Sequence, residues 1–321
     1  MSRFYGYEKS IAGTLREMGY DICYLDYFGP VKYSHANAIL GNTISKTLFE
    51  RRIIRKLKKL PLEKFDYLLV IRGTTLTEAH LDYIASRNPD MTKILYQWDA
   101  ISQYDYLPIV SKFDRVFTFE KNDAKRYGFI HLPLFCDIKS PPDSGRNENI
   151  DLLLIGTYQE GRYREALRLY KLSKKYNLIF KCRIYIPFTT FLRQLTRGHF
   201  VSLNICKFTS IGRKALTELY VRSRVFVDVI PPSQKGLSMR SIECYGMNKK
   251  LITSNYEAFK DYELLDDMEV YPLDIEDEKL KEICRSTPSE YRHKSSFSPI
   301  FSNDSLIDVR HKIRSIFDKD R

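Results

Sequence analysis

Short apolar runs rich in β-branched and aromatic residues recur along this chain, each followed by a turn and an amphipathic stretch, and the series starts twice. The first series comprises 66–71, 93–96, 115–119 and 130–132, with a further strand expected over 21–27 from Ile22, Tyr24 and Leu25. The stretch 139–149, KSPPDSGRNEN, interrupts it, and apolar runs resume at 150–155, 182–186, 225–230 and 250–253. Runs of this kind, bounded by turn signals, read as strands buried on both faces, and the helices between them impose parallel pairing. The repeated series predicts an α/β protein with two Rossmann-like domains, each built on a parallel sheet. The expected boundaries are 1–138 for the first domain, 139–149 for a linker and 150–302 for the second domain. Residues 303–321 supply a terminal helix, with Leu306, Val309, Ile313 and Ile316 at helical spacing.

At 321 residues the chain is long enough for two cores. Its 52 Lys and Arg against 40 Asp and Glu leave a net charge of +12, which points to an acidic partner. Six cysteines are scattered without a C-x-x-C pair, which disfavours a zinc site and a disulfide scaffold and fits a reducing compartment. No run approaches bilayer-spanning length and no secretory signal opens the chain, so a cytoplasmic protein is expected, able to rest on the inner face of the membrane. A helix expected over 34–59 ends in the basic segment 51–59, where Arg51, Arg52, Arg55, Lys56, Lys58 and Lys59 interleave with Ile53, Ile54 and Leu57. Such a helix can lie on an anionic membrane surface, and a solvated helix face is the plainer alternative. The 23 tyrosines mix only diffusely with the cations and no zinc-finger or RRM signature occurs, so nucleic acid is not the expected partner.

The most informative stretch runs from Pro231 to Asn255. It follows the strand 225–230, carries Gly236 in its loop, and offers Ser238 as the cap of a helix starting at Met239. Arg240 and Glu243 are three apart and share a face near the start of that helix. Unpaired backbone N–H groups and a partial positive charge make such a helix start suited to phosphate. The helix closes at Gly246, and Lys250-Leu251-Ile252-Thr253 opens the next strand.

This segment resembles the donor-binding signature of GT-B glycosyltransferases, particularly the CgeB-like and surface-polysaccharide branches, in which a Gly-Leu-Ser/Thr-Met-Arg-x-x-Glu run precedes a helix and a Leu-Ile-Thr strand. The resemblance implies two Rossmann-like domains facing each other across a cleft, with the C-terminal helix packing back on the first. It implies transfer of a sugar from a nucleotide-sugar donor to a glycan or lipid-linked acceptor in cell-surface polysaccharide biosynthesis. The wider fold carries an E-x7-E motif whose second Glu meets the donor ribose; by position that residue is Glu243, while Lys235 stands where the first Glu would fall. The expected donor clamp is Gly156, Thr157, Arg162, Gly236, Ser238 and Arg240. Tyr163 and Arg164 follow Arg162 at the same helix start, and any one of these arginines can equally be a surface residue of a basic protein. Enzymes of this fold generally work without metal, and the sequence has neither a clear D-x-D motif nor a His/Cys cluster, so no metal and no cofactor is expected.

The acceptor side is expected on the first domain, at the carboxyl ends of its strands. A glycine turn, Phe4-Tyr5-Gly6-Tyr7-Glu8, opens the chain, although Met1-Ser2-Arg3 is too short and polar to supply the strand that precedes it in the family. Either the start lies upstream or the first strand is shortened. Gly6, Tyr7, Arg72 and Trp98 are the candidate acceptor contacts, and Asp99 is the candidate base, with Glu8 as a second. A retaining reaction needs no such base, and an Asp at that position also caps helices. The rival reading is a degenerate relative that binds a sugar or nucleotide, or scaffolds an assembly, without transfer.

Overall fold

The computed structural model describes residues 6–26, 42–74, 76–136, 148–262, 264–265, 268–286 and 309–317. The chain divides into two compact units, Met1–Pro133 with Val309–Arg321, and Leu134–Asp308.

In the first unit β1 (Tyr67–Ile71), β2 (Thr92–Gln97), β3 (Arg115–Thr118) and β4 (Ile130–His131) form a parallel sheet in sequential order. Leu69 stands opposite Ile94, and Tyr96 opposite Phe117. Helices Glu78–Arg87 and Lys121–Tyr127 make crossovers between strands. The helix Tyr7–Glu17 begins at Gly6, whose φ of 89° is the left-handed geometry that favours glycine, and buries Ile11 and Leu15. Helix Asn42–Leu57 turns Ile53 and Leu57 into a core shared with Val70, Leu81, Ile84 and Leu95. The Val309–Phe317 helix belongs to this unit: Phe317 packs on Tyr20 and Tyr67 at 5.0 and 5.1 Å between ring centroids, and Ile313 and Ile316 are buried.

The strand expected over 21–27 does not form within 21–26, and Tyr27 lies outside the described residues. Cys23 and Tyr24 are exposed. Without a buried face nothing sets a pairing register there, and β1 carries that side of the sheet among the described residues.

The second unit holds β5 (Ile150–Thr157), β6 (Phe180–Tyr185), β7 (Cys206–Lys207), β8 (Ser223–Asp228), β9 (Lys250–Thr253) and β10 (Val270–Pro272). They lie in the order β10-β9-β8-β5-β6-β7, with every pairing parallel. Counted within the unit, the first and fourth strands are therefore neighbours at the centre, the doubly wound arrangement in which chain direction across the sheet reverses. Leu152, Leu154, Val225, Val227 and Ile252 form the sheet's part of the core, and the Glu160–Tyr176 helix adds Ala166 and Leu169. The Asp277–Arg285 helix, acidic in its first turn, buries Leu280, Ile283 and Cys284 in the same core. Among the described residues no helix is long and apolar enough to cross a membrane.

Candidate functional site

In a doubly wound sheet a ligand binds outside the carboxyl ends of the strands where their order reverses. In the second unit that point lies between β5 and β8, and the residues singled out from sequence gather around it. Arg162, in the first turn of the Glu160–Tyr176 helix, bridges the two strand ends: its Nη1 donates to the Thr157 carbonyl at 2.6 Å, while Nε and Nη2 donate to the Val229 carbonyl at 2.9 and 2.6 Å. Gly156 makes this possible, because a Cβ there would lie 2.9 Å from the Arg162 side chain. These guanidinium donors thus hold backbone, and the arginine foreseen as a phosphate ligand is a staple across the reversal point.

Beyond β8 the loop and helix are tied together by Asp228, which sequence reading passed over as part of a strand. Its Oδ2 accepts from the Ser238 hydroxyl, and from the Ser241 hydroxyl at 3.0 Å. Ser238 caps helix Met239–Gly246 by accepting from the Ser241 N–H at 3.1 Å. Burial pushes the Asp228 carboxyl up, against the opposing pull of the Ser238 hydrogen bond, the Arg162 guanidinium and Ser241. An acid ending an otherwise apolar strand was the available signal. Gly236 is fixed in its loop by carbonyl bonds from the side chains of Gln234 and Asn255, at 3.2 and 3.3 Å. Lys235, at the position of the missing carboxylate, is exposed.

Arg240 and Glu243 do pair, at 3.1 Å between Nη1 and Oε2. Neither faces bulk solvent, with side-chain exposures of 13% and 3%. The same Oε2 accepts the Tyr220 hydroxyl at 2.6 Å, and Arg213 Nη1 stands 3.9 Å from Oε1. The Arg240 guanidinium lies 4.8 Å above the Tyr220 ring and reaches the Ile155 carbonyl at 3.4 Å, while its Nε is buried with no acceptor among the described residues. Arg213 and Tyr220 come from helix Arg213–Val221, seven apart and so on one face, a spacing from which they could have been foreseen.

In the first unit the corresponding strand ends carry a second polar group. Arg72, one residue past β1, has a φ of 67°, unusual for a side chain of its size. Its Nε and Nη2 both donate to Asp99 Oδ2 at 2.7 Å, and its carbonyl accepts from Gln97 Nε2 at 2.8 Å. Trp98, a candidate acceptor contact, is buried, with edge contacts to Tyr7 and Tyr96 at 5.9 and 5.8 Å between centroids. Tyr7 is buried with it, so both are packing residues. Glu8 sits in the first turn of the Tyr7–Glu17 helix, partly buried.

No protein-family model matches the chain, and no curated protein matches it. Among solved structures it is similar to an alpha-glucosyltransferase in complex with UDP and a 13-mer DNA, at 12% identity over 82% of this chain and 78% of that one, with a TM-score of 0.49. Acinetobacter baumannii MurG is similar at 11% identity over 97% and 91%, TM-score 0.43. The lipopolysaccharide outer core galactosyltransferase WaaB is similar at 10% over 85% and 77%, TM-score 0.39. Identities this low say nothing about individual residues.

Proposed function

We propose that this protein is a glycosyltransferase that takes a sugar from a nucleotide-sugar donor and passes it to a glycan or lipid-linked acceptor of cell-surface polysaccharide synthesis. The observation that carries the reading is the arrangement at the β5/β8 reversal, where Arg240 is held at a capped helix start by Glu243, Tyr220 and the Ile155 carbonyl. An arginine fixed in this way, beside the loop backbone at Gly236, can stabilise a departing diphosphate without a divalent ion. Glu243 then has two tasks of one kind: it orients Arg240, and it meets a ribose hydroxyl if Tyr220 gives way. On the acceptor side Asp99 would act as base through Oδ1, because Oδ2 already takes two Arg72 donors.

One observation favours binding without transfer: Glu243 is closed in by its own neighbours, and Lys235 replaces the other carboxylate. A thermal-shift panel of UDP-, GDP-, CMP- and dTDP-sugars, followed by a nucleotide-release assay, tests both readings. Stabilisation by one sugar nucleotide, weakened about tenfold or more in affinity by Arg240→Ala, is the expected result. Stabilisation without nucleotide release in the presence of glycan acceptors supports the binding reading, and no stabilisation by any member of the panel removes both.

A further inference from the structure

The stretch 166–217 holds eleven Lys and Arg and not one Asp or Glu, and within it the second unit displays an apolar surface. Helix Phe188–Thr196 links β6 to the two-residue edge strand β7 and has no buried residue. Phe188, Leu192 and Leu195 recur at i, i+4 and i+7, so they share one face, and all three are exposed. Gly198, with φ of 76°, then turns the chain, and the His199 N–H donates back to the Gln194 carbonyl at 2.9 Å. Phe200 follows at 88% exposure, with Leu203 also exposed. Phe208 returns from β7 to the same helix, its ring 5.6 Å from Phe188 and 5.2 Å from Phe191. Phe191 packs on the unit's core, so the surface is attached to the fold rather than carried on a free loop.

Folded proteins seldom leave so many large apolar side chains together in water without a use for them. We propose that this surface docks on an anionic lipid bilayer, with Phe188, Leu192 and Phe200 entering the acyl boundary while Arg193, Arg197 and Lys207 meet headgroup phosphates. Three features favour lipid. The cations have no acidic neighbour in sequence, which complements a negative surface. Leucines offer no stacking face, so a nucleic acid would leave half of the apolar residues unused. A second copy docking through the same patch would set arginine against arginine. The inference does not depend on the transferase reading and would stand if that reading failed.

Flotation of the full chain with vesicles tests it, using phosphatidylcholine alone and phosphatidylcholine with phosphatidylglycerol in equal parts. The chain should float only with the anionic vesicles. Leu192→Asp with Phe200→Asp should weaken binding on the order of a hundredfold. Arg193→Gln with Arg197→Gln should weaken it about tenfold, whereas Arg51→Gln with Arg55→Gln should change it little. All these positions are at the surface, and an unchanged thermal midpoint shows that the fold persists. In a Phe200→Trp variant the added indole should shift its emission to the blue when anionic vesicles are present. Vesicle binding that survives the two aspartates overturns the proposal. So does a concentration-dependent dimer, or oligonucleotide binding, that the aspartates abolish in a chain that ignores vesicles.

Discussion

Two helices combine basic side chains with an apolar stripe, one in each unit, and the fold treats them in opposite ways. Helix Asn42–Leu57 turns Ile53 and Leu57 inward among Val70, Leu81 and Ile84, leaving Arg51 and Arg55 outside. Helix Phe188–Thr196 has no fully buried residue: Phe191 alone of its large apolar side chains packs on the core, part-buried, while Phe188, Leu192 and Leu195 stay exposed. Periodicity is the same kind of signal in both. What differs is the supply of partners: the first helix meets helix Glu78–Arg87 and the sheet, whereas the second lies beside an edge strand of two residues. An amphipathic stripe therefore says that a helix needs an apolar partner, not that the chain itself provides one. For the segment 51–59, where sequence suggested membrane contact, the core has already taken the apolar side.

The contrast is broken most directly at Ile53, which is fully buried. Ile53→Ala should remove about 2–5 kcal/mol of stability, the usual cost of a truncated core aliphatic and the cavity it leaves. Urea unfolding of the full chain measures it. A loss below about 1 kcal/mol would mean that this stripe is not core and that the two helices are alike.

Acid should separate the units in another way. His131, in β4 of the first unit, is lowered to about 4, first by burial and then by the Lys121 cation, with Lys312 adding to it against a hydrogen bond to the Phe119 backbone. The fold prefers its neutral form, so its contribution is present above the unfolded value of 6.5 and is lost as pH falls toward about 4, by at most about 3 kcal/mol. Asp228, in the second unit, is raised above 3.8 by burial, so the fold prefers the protonated form. Its contribution is full below 3.8 and declines as pH rises through the raised value. Thermal unfolding against pH should therefore show His131→Gln flattening the acid limb and Asp228→Asn flattening the opposite slope. Superimposable profiles for His131→Gln and the parent chain would refute the first half of this contrast.

The order of apolar runs was enough to read the longer strands of both sheets, because a strand buried on two faces has little freedom in composition. The Ser238 cap and the Arg240–Glu243 pair were equally readable, since both are set by spacing within one helix. Their surroundings were not. Tyr220 and Arg213 reach Glu243 only because the Arg213–Val221 helix folds against Met239–Gly246, and Asp228 reaches Ser238 only through the return of a loop. Trp98 was misjudged for the same reason: its position after a strand suggested an open end, and tertiary packing by Tyr7 and Tyr96 closed it. The strands β7 and β10 are too short to leave a pattern at all.

Gly156 probes the reversal point itself, with a smaller expected effect. Its added Cβ in Gly156→Ala would sit 2.9 Å from Arg162, which cannot retreat without releasing the carbonyls of Thr157 and Val229. Overpacking of this kind should cost about 1–3 kcal/mol in urea unfolding. Because the clash and the staple involve the same guanidinium, Gly156→Ala should cost much less in an Arg162→Ala background. Additive effects would show that the arginine moves aside freely and that the strand ends do not depend on it.

The smallest effect is expected at Leu192, the counterpart of Ile53. Its side chain is exposed on a helix with no buried residue, so Leu192→Ala removes little burial, opens no cavity, and replaces leucine with a residue of equal or better helix propensity. The unfolding free energy should stay within about 0.5 kcal/mol of the parent. The two alanine substitutions delete similar amounts of hydrocarbon, and only the presence of a partner on the inner side separates them. If Leu192→Ala destabilised the chain as strongly as Ile53→Ala, the exposed stripe would have to be packed within the folded chain, and the surface offered to a bilayer would not exist.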